Sequence, residues 1–425
     1  MKFVVVTYGT EGDTRPMALL CRALVDAGHE AHLLADAATL GYAAELNITT
    51  TALAGDIRAI LLQDAPREAR RGGFTETARA FARLAATNSE AWLRTTTAVA
   101  QGCDVIVLGG LAAFIGLSAA EALRVPAIGT GLIPITPTSA FASPFLHPGA
   151  VPRFMNRASH KLINALIWRA FKPSINAARA AACGLPARRR LWNEHPMLYG
   201  ISPSLVRPPA DWPPNATVCG QWLAPVAEWI PPKDLSEFLA AGEPPIYLGF
   251  GSMAALGGPS LMTQVLEALR GRRALLYPGW GNVDAADLPT NVHLLAEAPH
   301  GWLFPKTSLI IHHGGAGTAH AAARAGVPSV VVPFAGDQFF WANRLLRVGA
   351  APAPVPAKGL SADRLSLAIS EAGKSAMRDN AAVLGASIAK EDGLTAAVAA
   401  IEALTKSALR QPRLGAARAG AQQQK

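Results

Sequence analysis

Short, uninterrupted apolar runs alternate with stretches of helical periodicity along most of this chain. The runs over residues 2–7, 30–34, 105–108, 127–129, 246–250, 274–277, 292–295, 309–311 and 329–333 suit strands buried on both faces, the pattern of a parallel sheet. Helical stretches lie between them: about 15–27, stopped by Gly28; 61–101, of mixed polarity; 109–123, rich in small residues; 319–325, closed by Gly326 and Pro328; and 339–348, ended by Gly349. Three more, around 362–371, 377–390 and 394–404, close the chain. Strand and helix alternating in this order predict an α/β fold with parallel sheets.

The alternation breaks between Pro208 and Pro245, where prolines are interleaved with Trp212, Trp222 and Trp229. Prolines stiffen a linker, and the tryptophans predict that this one packs rather than floats. The chain therefore divides into a first α/β domain over 1–208, a linker over 209–245, and a second α/β domain over 246–405. Residues 406–425, rich in Ala, Arg and Gln, have the composition of a disordered tail. With 425 residues, each half is long enough to bury its own core.

Composition narrows the class. Half the residues are hydrophobic and 16% are charged, as in a compact enzyme. Cys21, Cys103, Cys183 and Cys219 are widely spaced and suggest neither a zinc site nor a disulfide framework, which points to a reducing cytoplasm. The apolar run after Met1 and Lys2 is too short for a signal peptide. Residues 125–152 carry no Asp, Glu, Lys or Arg, but six prolines from Pro126 to Pro152 rule out one continuous membrane-spanning helix there.

Candidate chemistry concentrates in 309–338, L-I-I-H-H-G-G-A-G-T-A-H-A-A-A-R-A-G-V-P-S-V-V-V-P-F-A-G-D-Q. A buried strand, a Gly-rich turn and a helix start together leave backbone N–H groups pointing outward, where glycines let an anion approach. His313 stands at the mouth as a further donor, Thr318 at the helix start, and Asp337-Gln338 after the next strand. All of these converge at the C-terminal edge of a parallel sheet, where α/β proteins bind ligands.

The motif H-H-G-G-A-G-T followed by G-D-Q at 336–338 resembles the donor-binding motif of family 1 glycosyltransferases, most closely the bacterial and fungal sterol-type and antibiotic-type members. The resemblance runs from Gly9 to about Val398. It implies the GT-B fold, two Rossmann-like α/β domains facing each other across a cleft. It also implies transfer of sugar from a nucleotide diphosphate sugar to a small lipophilic acceptor. The donor would be held by Gly12, Ser252, Ala298, His300, His313, Gly315, Gly317, Thr318, Asp337 and Gln338. In plant members Trp-Ala-Pro-Gln stacks on the uracil and pairs with it; here Glu297 and His300 replace the Trp and the Gln. Backbone contact at Ala298 and His300 carries over better than stacking, and Trp280 or Trp302 would have to substitute for the lost ring.

The N-terminal loop Y-G-T-E-G-D at 8–13 is not a dinucleotide-binding G-x-G-x-x-G turn. Asp13 precedes the expected helix, where an Asp commonly serves as N-cap. The resemblance implies a general base instead, at the position where plant members carry a His. No residue of 105–118 offers itself as the distant Asp that orients the plant His, so no dyad is expected.

The Pro- and Ser-rich loop 132–148 carries Ile133, Ile135, Phe141 and Phe145, which the resemblance places on the acceptor pocket; ordinary core packing is the competing expectation. Between Arg153 and Arg190 the chain has many Arg and Lys residues and no Asp or Glu, contributing to a net charge of +9. Leu162, Ile163, Leu166 and Ile167 recur at helical spacing within it. The plain expectation is an amphipathic helix packed on its own domain; the sharper one is peripheral contact of 153–190 with the anionic inner face of a membrane. No nucleic-acid motif accompanies the charge.

The implied reaction uses a UDP-sugar as co-substrate, no separate cofactor and no metal, since the D-x-D motif of metal-dependent sugar transferases is missing. Glucose and a hydroxylated, sterol-like hydrophobe are the expected pair. Alternatives are an antibiotic, polyketide or flavonoid aglycone with a TDP-sugar, a sugar-nucleotide epimerase of the same fold, or a non-catalytic binding protein.

Overall fold

The computed structural model describes residues 1–59, 74–223, 229–279, 283 and 288–410, with the side chains of 74–81, 252, 254–260, 409 and 410 outside that description. The first half runs β1 (Lys2–Val6), α1 (Glu11–Asp26), β2 (Glu30–Asp36), α2 (Gly41–Glu45), β3 (Thr49–Leu53), α3 (Phe74–Val99), β4 (Val105–Leu108), α4 (Ala113–Leu123), β5 (Ala127–Gly131), α5 (Asn156–Cys183), β6 (Met197–Tyr199) and β7 (Ala216–Val218). The second runs α6 (Lys233–Ala240), β8 (Ile246–Gly249), α7 (Ala254–Leu269), β9 (Ala274–Tyr277), β10 (Val292–Leu294), α8 (His300–Leu303), β11 (Leu309–His312), α9 (Ala316–Ala325), β12 (Ser329–Val331), α10 (Gln338–Arg347), α11 (Ala362–Ala372), α12 (Ser375–Ile388) and α13 (Gly393–Arg410).

Two parallel sheets result, ordered β3-β2-β1-β4-β5-β6-β7 and β10-β9-β8-β11-β12, in two Rossmann-like domains that face each other across a cleft. The central strands are mostly apolar because helices cover both faces: Phe3, Val5 and Leu33 sit in one core layer of the first domain, Val4, Val6 and Leu34 in the other. In each sheet the order reverses beside the first strand, between β1 and β2 on one side and β4 on the other, and likewise around β8 and β11. These switch points open crevices at the C-terminal strand ends, where 7–10, 250–251 and 313–315 lie.

The Pro- and Trp-rich stretch 209–245 is shared out between the two halves. Trp212 packs at 4.9 Å on Tyr199, Ala216–Val218 pairs with β6 as the edge strand, and Trp222 is buried in the first domain's core. Leu235 and Phe238 pack instead with Tyr247 and Phe304 of the second domain. The last helix crosses back: Ala397 and Ile401 of α13 are buried against α1 and the first sheet. Tail residues 406–410 continue that helix, and 411–425 lie outside the described residues.

The loop 132–148 is pinned at almost every polar turn. The Tyr199 hydroxyl accepts from Thr136 N–H at 2.9 Å, and Trp212 Nε1 donates to the Thr136 carbonyl at 3.1 Å. The Asp211 carboxylate accepts from the Thr138 hydroxyl at 2.6 Å and from Ser139 N–H at 2.8 Å, which holds its pKa down at about 2. Phe141 is buried between the domains, 5.4 Å from the Phe340 ring with the Arg344 guanidinium 4.5 Å above it. Burial there lowers the Arg344 pKa to about 10.

Candidate active site

Helix α1 begins at Glu11, four residues before the sequence pattern placed it, and this changes the status of Asp13. The N-cap is Thr10, and Asp13 is the third helical residue of a capping box. Its Oδ2 accepts from Thr10 N–H at 2.9 Å and from the Thr10 hydroxyl at 3.3 Å. The competing role of N-cap thus falls to Thr10, and the Asp13 carboxylate folds back over the β1–α1 turn. It lies directly against Gly9, where any Cβ would overlap it. Gly12 is exposed in the same first turn.

Three loops of the second domain form a cradle opposite. His313 follows β11, and its Cε1 lies 3.5 Å from where a Cβ on Gly251 would stand. A Cβ on Gly315 would crowd its Nε2, and one on Gly279 would run into the Gly251 backbone. Gly251 and Gly279 have positive φ, at 54° and 58°, which favours glycine at both points. Gly314, at φ 91°, packs against Val331 and the start of α10. The turn leaves two ring nitrogens over: His313 Nδ1 and His312 Nε2 are buried and have no partner among the described residues.

Burial, reinforced by His300, lowers the His313 pKa to about 4, so near neutral pH the imidazole is an uncharged donor. His312 accepts from Gly314 N–H at 3.1 Å through Nδ1, which fixes its own proton on Nε2. Gly315 is the N-cap of α9 and has no side chain to cap with, so the first-turn N–H groups at Ala316, Gly317 and Thr318 face the cradle without a capping side chain. Gly317 is exposed and Thr318 half-buried there. Ser252 follows Gly251 in a short 3-10 turn, and its side chain lies outside the described residues, as does Trp280.

Asp337 and Gln338 open α10 beside the cradle. Trp341 Nε1 donates to Asp337 Oδ2 at 2.9 Å. Gln338 Oε1 accepts from Phe334 N–H at 2.7 Å and Ala335 N–H at 3.2 Å, which orients its amide. Burial raises both the Asp13 and Asp337 carboxyls to about 6, against the hydrogen bonds that each accepts. The Asp13 charge is a further cause at Asp337, so two carboxylates from opposite domains sense each other across the cleft.

Carboxyls raised in this way stabilise the fold at pH below the unfolded value near 4, and that contribution is lost as pH rises through about 6. Asp337→Asn is therefore expected to raise the melting temperature by a few degrees above about pH 7, with the gain shrinking towards pH 5. Melting curves at the two pH values check the sign.

Beside 297–300, Trp302, one of the two rings offered in place of the plant Trp, takes the ordinary packing role that was its alternative. Trp302 packs at 4.8 Å on Trp229, with the Lys306 ammonium 4.0 Å over its face. His300 stacks on Phe304 at 4.3 Å, and burial lowers its pKa to about 4. Ala298 packs half-buried in the same cluster. Glu297 reaches over the cleft and accepts from Arg15 Nη2 at 2.6 Å, while Arg15 Nε also pairs with Glu11 at 2.9 Å. Both partners of this bridge are well exposed, so it aligns the two loops more than it stabilises the fold.

Of the loop residues, Ile133, Ile135 and Phe145 are half-buried, and Phe141 is in the interdomain core just described. Among the described residues, no group of three or more His, Cys, Asp and Glu side chains could hold a metal ion. Sequence reasoning did not single out Gly9, Thr10, Gly279 or Trp341. The Thr10-x-x-Asp13 spacing of a capping box and the Asp337-to-Trp341 helical spacing were the available signals.

A family model described as "Erythromycin biosynthesis protein CIII-like, C-terminal domain" matches residues 278–404. A sterol 3-beta-glucosyltransferase of Arabidopsis thaliana is 30% identical over 419 residues, which cover 94% of this chain and 67% of that protein. A sterol 3-beta-glucosyltransferase of Aspergillus fumigatus is 32% identical over 434 residues, covering 94% of this chain but 30% of its own length. The solved structure of the spinosyn rhamnosyltransferase SpnG complexed with thymidine diphosphate superposes with a TM-score of 0.64 at 21% identity, over 95% of this chain and 100% of that one, a likeness of fold.

Proposed function

The chain belongs to the GT-B glycosyltransferases related to both the sterol 3-beta-glucosyltransferases and the bacterial natural-product enzymes, and from that premise we propose that it moves a hexose, glucose first, from a UDP-sugar to a hydroxyl of a sterol-like lipophilic acceptor. The observation that carries the proposal is the 2.6 Å bridge from Arg15 to Glu297, which brings the first turn of α1, with Asp13, across to the domain that holds the His313 cradle and Asp337. A base and an anion site on facing walls suit a single displacement.

The donor's diphosphate would lie against His313 and the open N–H groups at the start of α9, with Ser252 close by in sequence to Gly251. Asp337 and the oriented Gln338 amide would take the sugar hydroxyls. Backbone groups at Ala298 and His300 would meet the base. The acceptor oxygen attacks the anomeric carbon and gives its proton to Asp13 as the bond forms. The bond from that carbon to the diphosphate breaks, and its electron pair leaves with UDP. Attack from the face opposite the leaving group inverts the centre, so an α-donor gives a β-glycoside. No step needs a metal or a separate cofactor. Beyond donor and acceptor, a membrane surface reached through 153–190 belongs to the proposal.

With its pKa at about 6, Asp13 is mostly ionised at neutral pH yet more basic than an ordinary carboxylate. The rate is expected to rise with pH through about 6 and then level off, as a pH profile of kcat/KM would record. Gly9→Ala places a methyl group against the Asp13 Cβ and carboxylate, so the β1–α1 turn has to shift; with a melting curve run beside it, the variant should cost about 10²-fold in turnover through that displacement. Unchanged turnover in Gly9→Ala would mean that the carboxylate's position is immaterial.

A second reading, a TDP-sugar and a polyketide-type aglycone, is favoured by the family model and by the thymidine diphosphate in the superposed structure. Release of UDP or TDP from the matching glucose donors, with EDTA present, should be measured against cholesterol, ergosterol, a flavonol, a macrolide and no acceptor. The first reading expects UDP release that depends on a sterol. Release from the TDP donor with the macrolide alone would install the second.

A further inference from the structure

We propose that the outer face of α5, with the turn before it, docks on an anionic lipid bilayer and so holds the acceptor loop at the membrane surface. The inference deepens the transferase reading and rests on it for what the loop does, while the docking itself stands on the surface alone. Phe154, Met155, Leu162 and Leu166 are four of the eight large apolar side chains exposed among the described residues, and Phe154 is 86% exposed. Leu162 and Leu166 fall one turn apart on the side of α5 that also carries exposed Ala158, Ala165 and Arg169. Exposed Arg153 and Lys161 flank them.

No acid lies between 153 and 190. Among the described residues Asp211 reaches Arg157 only at 4.0 Å, while Arg179 and Arg188 pair with Glu121 away from this face. Arg153, Lys161 and Arg169 form no ion pair with a described carboxylate. Apolar side chains with a basic surround fit the boundary between acyl chains and anionic headgroups. Solvated charge alone would leave Phe154 and Leu162 without a reason to face outward.

The opposite face of the same helix holds the acceptor loop. Asn156 Nδ2 donates to the Ser139 carbonyl at 2.9 Å, and Ser159 Oγ accepts from Ser143 N–H at 2.9 Å. His160 Nε2 donates to the Phe141 carbonyl at 3.1 Å, and Asn164 Nδ2 to that of Ile135 at 3.1 Å. One helix diameter, about 10–12 Å, therefore separates the exposed stripe from the loop. A helix seated in the headgroups would bring the loop within reach of a hydroxylated hydrophobe resting in the bilayer.

The test is flotation of the full chain with phosphatidylcholine vesicles, with and without phosphatidylglycerol. Three proteins are compared: wild type, Phe154→Ala/Leu162→Gln/Leu166→Gln, and Lys161→Glu/Arg169→Glu. Wild type should bind the anionic vesicles alone and come off in high salt. The charge variant should lose at least about 25-fold in binding, at roughly five-fold per cation, and the apolar variant a similar amount. Both should keep wild-type melting temperatures and turn over detergent-dispersed acceptor normally, but lose turnover on acceptor presented in anionic vesicles. Equal binding of all three proteins, equal binding to neutral vesicles, or binding to heparin with none to vesicles would each overturn the proposal. Vesicle binding by a protein that transfers no sugar would leave docking standing and sink the transferase reading instead.

Discussion

Asp13→Asn is expected to lower sugar transfer by about 10² to 10⁴-fold while the affinity for the nucleotide sugar changes little. The substitution is nearly isosteric, and the new amide oxygen can still accept from Thr10 N–H and the Thr10 hydroxyl, so the α1 capping box survives. What it cannot do is take a proton. The acceptor hydroxyl must then attack without losing its proton to the enzyme, and that penalty falls on the transition state alone. Single-turnover rates at saturating donor, set beside calorimetric donor affinity, separate the two effects. A parallel loss of both would make Asp13 a binding residue. The same variant should melt higher than wild type near neutral pH, because a buried carboxylate has been removed. Greater stability with less activity is the pattern of a side chain kept for chemistry.

His313→Ala should cost about 10² to 10³-fold, the size of effect found when one preorganised donor to a developing negative charge is removed. The imidazole lies beside Gly251 and Gly315, and its Nδ1 has no partner among the described residues. That leaves a buried ring nitrogen free to meet the diphosphate as it gathers charge. The pKa of about 4 gives a second handle. A neutral imidazole does not titrate between pH 5 and 8, so the acidic limb near pH 6 should persist unchanged in His313→Ala, whose rates are simply lower throughout. Loss of that limb in the variant would assign it to His313 instead of the Asp13–Asp337 pair.

Much of this architecture was legible in the chain. Apolar runs such as Val105–Leu108 and Ala274–Tyr277 fall on strands with the same bounds, because a strand covered on both faces carries few polar positions. Met197–Tyr199 and Ala216–Val218 escaped notice: three residues between prolines hold too little pattern, and both strands are fixed by pairing to β5 and to each other. The start of α1 was misplaced because Pro16 resembles a first-turn residue, whereas the chain enters the helix at Glu11 through Thr10.

The donor loop was legible because glycines, a histidine and a helix start lie together in sequence. Its surroundings were not. Phe141 against Arg344, Glu297 against Arg15 and Asp13 near Asp337 join residues far apart in the chain, and no period records such meetings. Likewise the exposure of Leu162 and Leu166 beside buried Ile163 depends on which way α5 turns against α3 and α4.

The anomeric configuration of the product tests the account most directly. UDP-glucose with an α-linked sugar and a sterol acceptor should yield a glycoside whose anomeric proton shows the large coupling of a β-linkage in NMR. A single displacement between Asp13 and the His313 cradle predicts that result. An α-glycoside, or free glucose with no glycoside for any acceptor that the enzyme binds, would contradict it.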